Sequence, residues 1–254
     1  MRIALISDPH GDLVALLAVI SDIERQRDLD EVLVGGDLAQ GGPQPGEVVD
    51  EIRRRGWPSV RGNSDDFLVQ VADGTLRAPE LPEGLITSAT WSAGRLGADR
   101  IDYLRSLPIA IERDVDRLGR VVLVHATPWS NEEVVLPDAE SEIAQRMVSE
   151  SGARVLAYGH IHTPYQRRVG DSVLLSVGAI AGSNDADPRS AYTILDLGAT
   201  VAVEVRRVDC PKVARLAAYE RSGMSLSDQR RASLFEPGAL PVRSRPGAVI
   251  TLWP

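Results

Sequence analysis

Short apolar runs, each closed by a polar turn, repeat through the first quarter of the chain. Arg2–Ser7 (RIALIS) has the character of a buried strand and stops at Asp8-Pro9-His10-Gly11. Asp12 can cap the segment that follows, in which Leu13, Leu16, Leu17, Ile20 and Ile23 recur at helical spacing. Glu31–Gly35 (EVLVG) predicts a second strand that runs into Gly36-Asp37, and a Gly/Pro-rich loop then leads to a helix over Glu47–Arg55. Pro58–Arg61 predicts a third, short strand ending in the polar turn Gly62-Asn63-Ser64-Asp65. Strand, polar loop and helix alternate three times. That order predicts an α/β layered fold with ligands at the carboxyl ends of its strands.

From Phe67 to Leu107 the pattern is helical and loop material, with a helix over Gly94–Ser106. After Ile109 strands dominate: Ile109–Arg113, Val121–His125, Val155–Tyr158, Tyr165–Val169, Val173–Val177, Tyr192–Asp196 and Val201–Val205. One helix, about Asp138–Ser149, interrupts them, and the close spacing of the late strands predicts antiparallel pairing. The sum is a mixed two-sheet β-sandwich flanked by helices, an α/β/β/α arrangement over residues 1–208. Residues 209–254 form an extension, with helices over Lys212–Tyr219 and Ser225–Phe235 and a Pro/Gly-rich tail. The tail is open to two uses, packing on the same domain or meeting a second copy in a homo-oligomer.

Composition narrows the function. Hydrophobic residues make up 43% and charged residues 25% of 254 positions, an ordinary globular balance. The single cysteine, Cys210, can form neither an internal disulfide nor a thiolate metal cluster, which points to the cytoplasm. The apolar start is too soon interrupted by Asp8 for a signal peptide, and no apolar run is long enough to span a membrane. A net charge of −8 argues against long nucleic acid and anionic membranes as partners.

The candidate chemistry lies in the polar loops. All four histidines, His10, His125, His160 and His162, follow an apolar run, as do Asp8, Asp37 and Asn63. Nitrogen and oxygen donors without thiolates suit Mn, Fe, Co, Ni or Zn better than calcium. Seven donors exceed one tetrahedral ion and suit two ions that share a carboxylate. No GxxxxGK[ST] loop occurs, which argues against nucleotide-driven phosphoryl transfer.

The ordered set DPHG, GGD, GNSD, VLVHATP and GHIHTP resembles the calcineurin-like metallophosphoesterase superfamily, most of all its compact prokaryotic single-domain members. The resemblance implies one divalent ion on Asp8, His10, Asp37 and His162. It implies a second on Asp37, Asn63, His125 and His160, with Asp37 bridging and Asp37, Asn63 and His125 as the catalytic residues. Manganese leads the metals implied. The implied activity is hydrolysis of a phosphoester by water activated between the ions, on a small or nucleotide-like substrate. Phosphomonoester hydrolysis and a catalytically weak metal-binding scaffold are the alternatives, although none of the seven ligand positions is lost.

One position departs from the pattern. Many members carry histidine after the asparagine, where it helps to protonate the leaving oxygen; this chain has Ser64. Serine is too weak an acid for that task near neutral pH, which points to phosphodiesters over monoesters. On the sequence alone, Ser64→His with Asp65 to orient the imidazole should raise the monoester-to-diester ratio.

Overall fold

A computed structural model describes residues 1–76, 81–185 and 187–224. The elements run β1 (Arg2–Ile6), α1 (Leu13–Glu24), β2 (Glu31–Val34), α2 (Pro45–Arg55), α3 (Asn63–Asp73), α4 (Glu83–Ala93), α5 (Gly97–Ser106), β3 (Ala110–Val115) and β4 (Gly119–Val124). They continue with α6 (Ser141–Ser151), β5 (Val155–Tyr158), β6 (Tyr165–Val169), β7 (Ser172–Ser176), β8 (Ser190–Leu197), β9 (Val201–Val208) and α7 (Lys212–Ser222). Two sheets form, one ordered β2-β1-β8-β9 and the other β3-β4-β5-β7-β6.

The apolar runs are continuous because both faces of each central strand are covered. Along β1, Ile3 and Leu5 point between the sheets, toward Leu33, Leu123, Val155, Ala157, Leu175 and Leu195. The alternate residues Ala4 and Ile6 pack with Leu16, Val19 and Ile20 of α1 and Val48, Val49 and Ile52 of α2. The second sheet repeats the device: Val122, Leu156 and Leu174 face Ala144 and Met147 of α6. Each fully buried leucine or isoleucine contributes about 1.5–3 kcal/mol of burial free energy, so the two-sided strands anchor the loops at their ends.

The predicted two-sheet sandwich with outer helices is the fold observed. Three details differ. The stretch at Pro58–Arg61 makes only an isolated bridge, Val34 to Ser59, because Pro58 lacks an N–H for a longer ladder. Gly62-Asn63-Ser64-Asp65 is no free turn but the start of α3, with Gly62 as N-cap. Finally, β6 and β7 pair antiparallel, as do β8 and β9, yet β7 also lies parallel to β5. The crossover that allows this is the excursion through β6 at the sheet edge. The helix expected at Ser225–Phe235 and the tail after it lie outside the described residues.

Candidate metal centre

Four strands deliver the candidate ligands from their carboxyl ends. Asp8 and His10 follow β1, Asp37 follows β2, His125 follows β4, and His160 and His162 follow β5. Asn63 opens α3. Backbone bonds tie these loops together beyond the strands: Asp8 N donates to Gly36 O at 3.1 Å, His10 N to Asp37 O at 3.0 Å, and Gly159 N to His125 O at 2.9 Å. All seven side chains are buried; the most exposed, His10, is 8% exposed.

Residues two apart in a strand normally point to opposite faces, so convergence needs a sharp turn. The turn is made in the ligands themselves. Asp8 (φ 55°), His10 (φ 44°), Asp37 (φ 57°), His160 (φ 64°) and His162 (φ 57°) all adopt the left-handed region. Among the described residues only Asp28 and Arg117 join them as non-glycine residues there. Each such residue costs on the order of 1–3 kcal/mol and persists where the surroundings over-determine it. Two glycines permit the close packing. A Cβ on Gly62 would lie 2.0 Å from Asp37 Oδ1, and one on Gly159 would lie 2.1 Å from Ser7 Oγ.

The donors fall into two groups, Asp8/His10/His162 and Asp37/His125/His160, each compact enough to hold a metal ion. Backbone carbonyls fix every imidazole. Nδ1 of His10 faces Gln40 O at 2.8 Å, Nδ1 of His125 faces Gly35 O at 2.7 Å, and Nδ1 of His162 faces Gly182 O at 3.1 Å. His160 is reversed, with Nε2 facing Glu132 O at 3.1 Å. A nitrogen facing a carbonyl must carry the proton, so Nε2 of three histidines and Nδ1 of the fourth present lone pairs.

Those lone pairs meet other acceptors. His10 Nε2 lies 3.1 Å from His162 Nε2. His162 Nε2 is 3.2 Å from Asp8 Oδ1, a buried oxygen with no hydrogen-bond donor. His125 Nε2 faces Asn63 Oδ1 at 3.0 Å and Asp37 Oδ1 at 3.4 Å. Acceptors converging on acceptors inside a protein require a cation between them, either a proton or a metal ion. The residues therefore fit divalent metal.

A family model for the calcineurin-like phosphoesterase superfamily domain matches residues 1–200. The chain belongs to that superfamily. MJ0912 of Methanocaldococcus jannaschii is 30% identical over 180 residues, 70% of this chain and 69% of that protein. A metallophosphoesterase structure from Sphaerobacter thermophilus is 27% identical, with a TM-score of 0.74 over 92% of this chain and 99% of that one. PH1004 from Pyrococcus horikoshii shares the fold at a TM-score of 0.81 and 17% identity, covering 94% and 99% of the two chains.

This phosphoesterase is a metal-dependent hydrolase, and its ligand side chains shift one another's protonation. Burial raises the Asp37 carboxyl, but the charges of His125 and His10 and a hydrogen bond from His125 outweigh it and hold Asp37 well below the carboxylate range. Burial lowers His125, yet Asp37 beside it carries its pKa up to about 10. Burial and the neighbouring His125 charge push His160 down to about 4, which leaves that imidazole neutral. A proton thus sits on His125 below about pH 10, and a metal must displace it. Metal affinity should fall with falling pH, by up to about tenfold per unit for one displaced proton. Calorimetry with Mn²⁺ between pH 6 and 9, in buffers of differing ionisation heat, should show proton release. A pH-independent affinity would contradict it.

The Ser64 region corrects one expectation. Asp65 is not free to orient an imidazole at position 64. Its Oδ2 accepts from Asp37 N and Gly62 N, both at 2.9 Å, and its Oδ1 from Leu38 N at 2.9 Å. Burial and the Asp37 charge push its pKa up to about 7 against the amides of Gly62 and Leu38. Ser64 itself is 4% exposed, and its N–H donates to Asp37 Oδ1 at 3.0 Å. A grafted histidine would meet a carboxylate already engaged by three backbone amides. Sequence reasoning missed Asp65 as the clamp on the Asp37 loop, although an acid three residues after an N-cap is a recognisable capping signal. The four carbonyl partners leave no trace in side-chain identity.

Proposed function

We propose that this phosphoesterase binds two divalent transition-metal ions and hydrolyses phosphodiester bonds in a small or nucleotide-like substrate. The first ion takes Asp8, His10, Asp37 and His162. The second takes Asp37, Asn63, His125 and His160. One observation carries the reading: the two oxygens of Asp37 face different groups, Oδ2 lying 3.5 Å from His10 Nε2 and Oδ1 3.4 Å from His125 Nε2. A carboxylate so placed bridges. Bound there, a pair of dications supplies Lewis-acid charge for a phosphoryl group and lowers the pKa of water to near neutral.

The chain's own residues do the rest. The Ser64 N–H at the start of α3 holds Asp37 Oδ1 in place. Asn63 and His125, side by side at 3.0 Å, form the wall of the second group. Ser64 offers no proton donor near neutral pH, so a substrate whose leaving group departs as a weak base is favoured. The formal charge of −8 supports a small phosphoester over long nucleic acid. Among the described residues no helix is long and apolar enough to cross a membrane.

Chelation should abolish hydrolysis. Added Mn, Co or Ni should restore it, with Mg less effective because imidazole-rich sites suit softer cations. A hydrolysis screen of mono- and diesters after chelator treatment and metal return is the test. Best recovery with Mg alone would contradict the imidazole-rich ligand set, and activity indifferent to chelator would contradict the metal dependence.

A further inference from the structure

Helix α7 lies beyond the residues 1–200 that match the family, yet it carries an arginine into the interior. Arg215 is 2% exposed and leads the fully buried side chains in volume. Its Nε donates to Asp12 Oδ2 and its Nη2 to the Ala181 carbonyl. Asp12 stands on the loop that carries Asp8 and His10, and Ala181 on the β7–β8 loop, which packs against His162.

Asp12 caps α1 two residues after His10. Its Oδ1 accepts from Ala15 N at 3.0 Å, and its N–H donates to Pro9 O at 2.8 Å. Ala181 N donates to Asp8 O at 3.0 Å, and the next carbonyl, Gly182 O, fixes His162 Nδ1 at 3.1 Å. Ser183 Oγ and Asn184 N both donate to His162 O, at 2.9 and 3.0 Å. One planar guanidinium therefore joins the loop of Asp8 and His10 to the loop that aims His162. A lysine ammonium, a single point charge, lacks the fork to span both acceptors. His125 and His160 in the second group are aimed instead by Gly35 O and Glu132 O, away from this clamp.

The backbone gives the clamp a task. Asp8, His10 and His162 all sit at positive φ and stay there only while their surroundings hold them. Without Arg215, the Asp12 carboxylate and the Ala181 carbonyl lose a donor inside the protein, and both loops are free to relax. We propose that Arg215 is a positioning residue for the first metal group: it clamps the loops of Asp12 and Ala181 and so keeps Asp8, His10 and His162 in ligating geometry. The inference rests on the ligand assignment under Proposed function.

Mn²⁺ alone is the probe, titrated into the full chain and followed by electron paramagnetic resonance and calorimetry. Two backgrounds separate the groups: His160→Ala impairs the second and leaves the first to be measured, and His10→Ala does the reverse. In the His160→Ala background, Arg215→Met should weaken Mn²⁺ binding measurably, up to the roughly 10–100-fold that follows loss of a direct partner of a metal ligand. In the His10→Ala background the remaining affinity should not change. Arg215→Lys keeps a charge beside Asp12 and should show the same one-sided weakening to a smaller degree. It carries the test alone if circular dichroism shows that Arg215→Met has not folded. Equal weakening in both backgrounds, or none in either, would overturn the proposal. Fewer than two Mn²⁺ in the unsubstituted protein would overturn the ligand assignment itself, and with it this inference.

Discussion

Asp37→Ala should remove metal from both groups at once and cut kcat/KM by more than about 10³-fold. Loss of one stabiliser aimed at developing charge already costs about 10²–10³-fold, and here two ions lose a ligand together. The geometry makes Asp37 the common element, with one oxygen toward His10 and the other toward His125. His10→Ala touches only the first group, so it should lower the metal content by about one ion per chain and leave the second site populated. Elemental analysis beside steady-state kinetics separates the two variants. Should Asp37→Ala retain one tightly held ion with undiminished affinity, Asp37 does not bridge.

The second large effect is a preference between substrates. An alkyl phosphomonoester expels a strongly basic alkoxide, and a positioned acid normally contributes about 10²–10⁴-fold to such a step. The position where the family resemblance implies an imidazole holds Ser64, whose buried hydroxyl cannot supply a proton near neutral pH. An aryl diester expels a weakly basic phenolate, and a strained cyclic diester opens readily. Each should therefore exceed the alkyl monoester in kcat/KM by a factor within that range, at saturating metal. Ser64→His should not reverse the order, because Asp65 is committed to the amides of Asp37, Leu38 and Gly62. Faster turnover of the alkyl monoester by the unsubstituted protein would refute the preference and favour a phosphatase.

The site was largely legible from one regularity: every histidine follows an apolar run, as do Asp8, Asp37 and Asn63. Burial on both faces makes those continuous runs strands, and parallel strands β1/β2 and β4/β5 bring their ends to one side. What the residues could not display is how Asp8-x-His10 and His160-x-His162 converge. Pro9 and the flanking glycines look like the turning points, whereas the left-handed conformation falls on Asp8, His10, His160 and His162 as well as on Gly11. Local propensity opposes that choice, and only the tertiary frame enforces it. The start of α3 was hidden for a related reason, since Gly-Asn signals a turn as readily as a helix N-cap. The parallel pairing of β5 with β7 depends on β6 lying at the sheet edge, which short-range spacing does not encode. Arg215 gave no signal at all, because a buried arginine is indistinguishable in sequence from the surface arginines around it.

Anomalous diffraction at the manganese edge, from crystals of the full chain grown with Mn²⁺, bears most directly on the dinuclear centre. Two peaks are expected, one among Asp8, His10 and His162 and the other among Asn63, His125 and His160, with an Asp37 oxygen against each. A single peak, or two peaks that leave Asp37 uncoordinated, would contradict that centre.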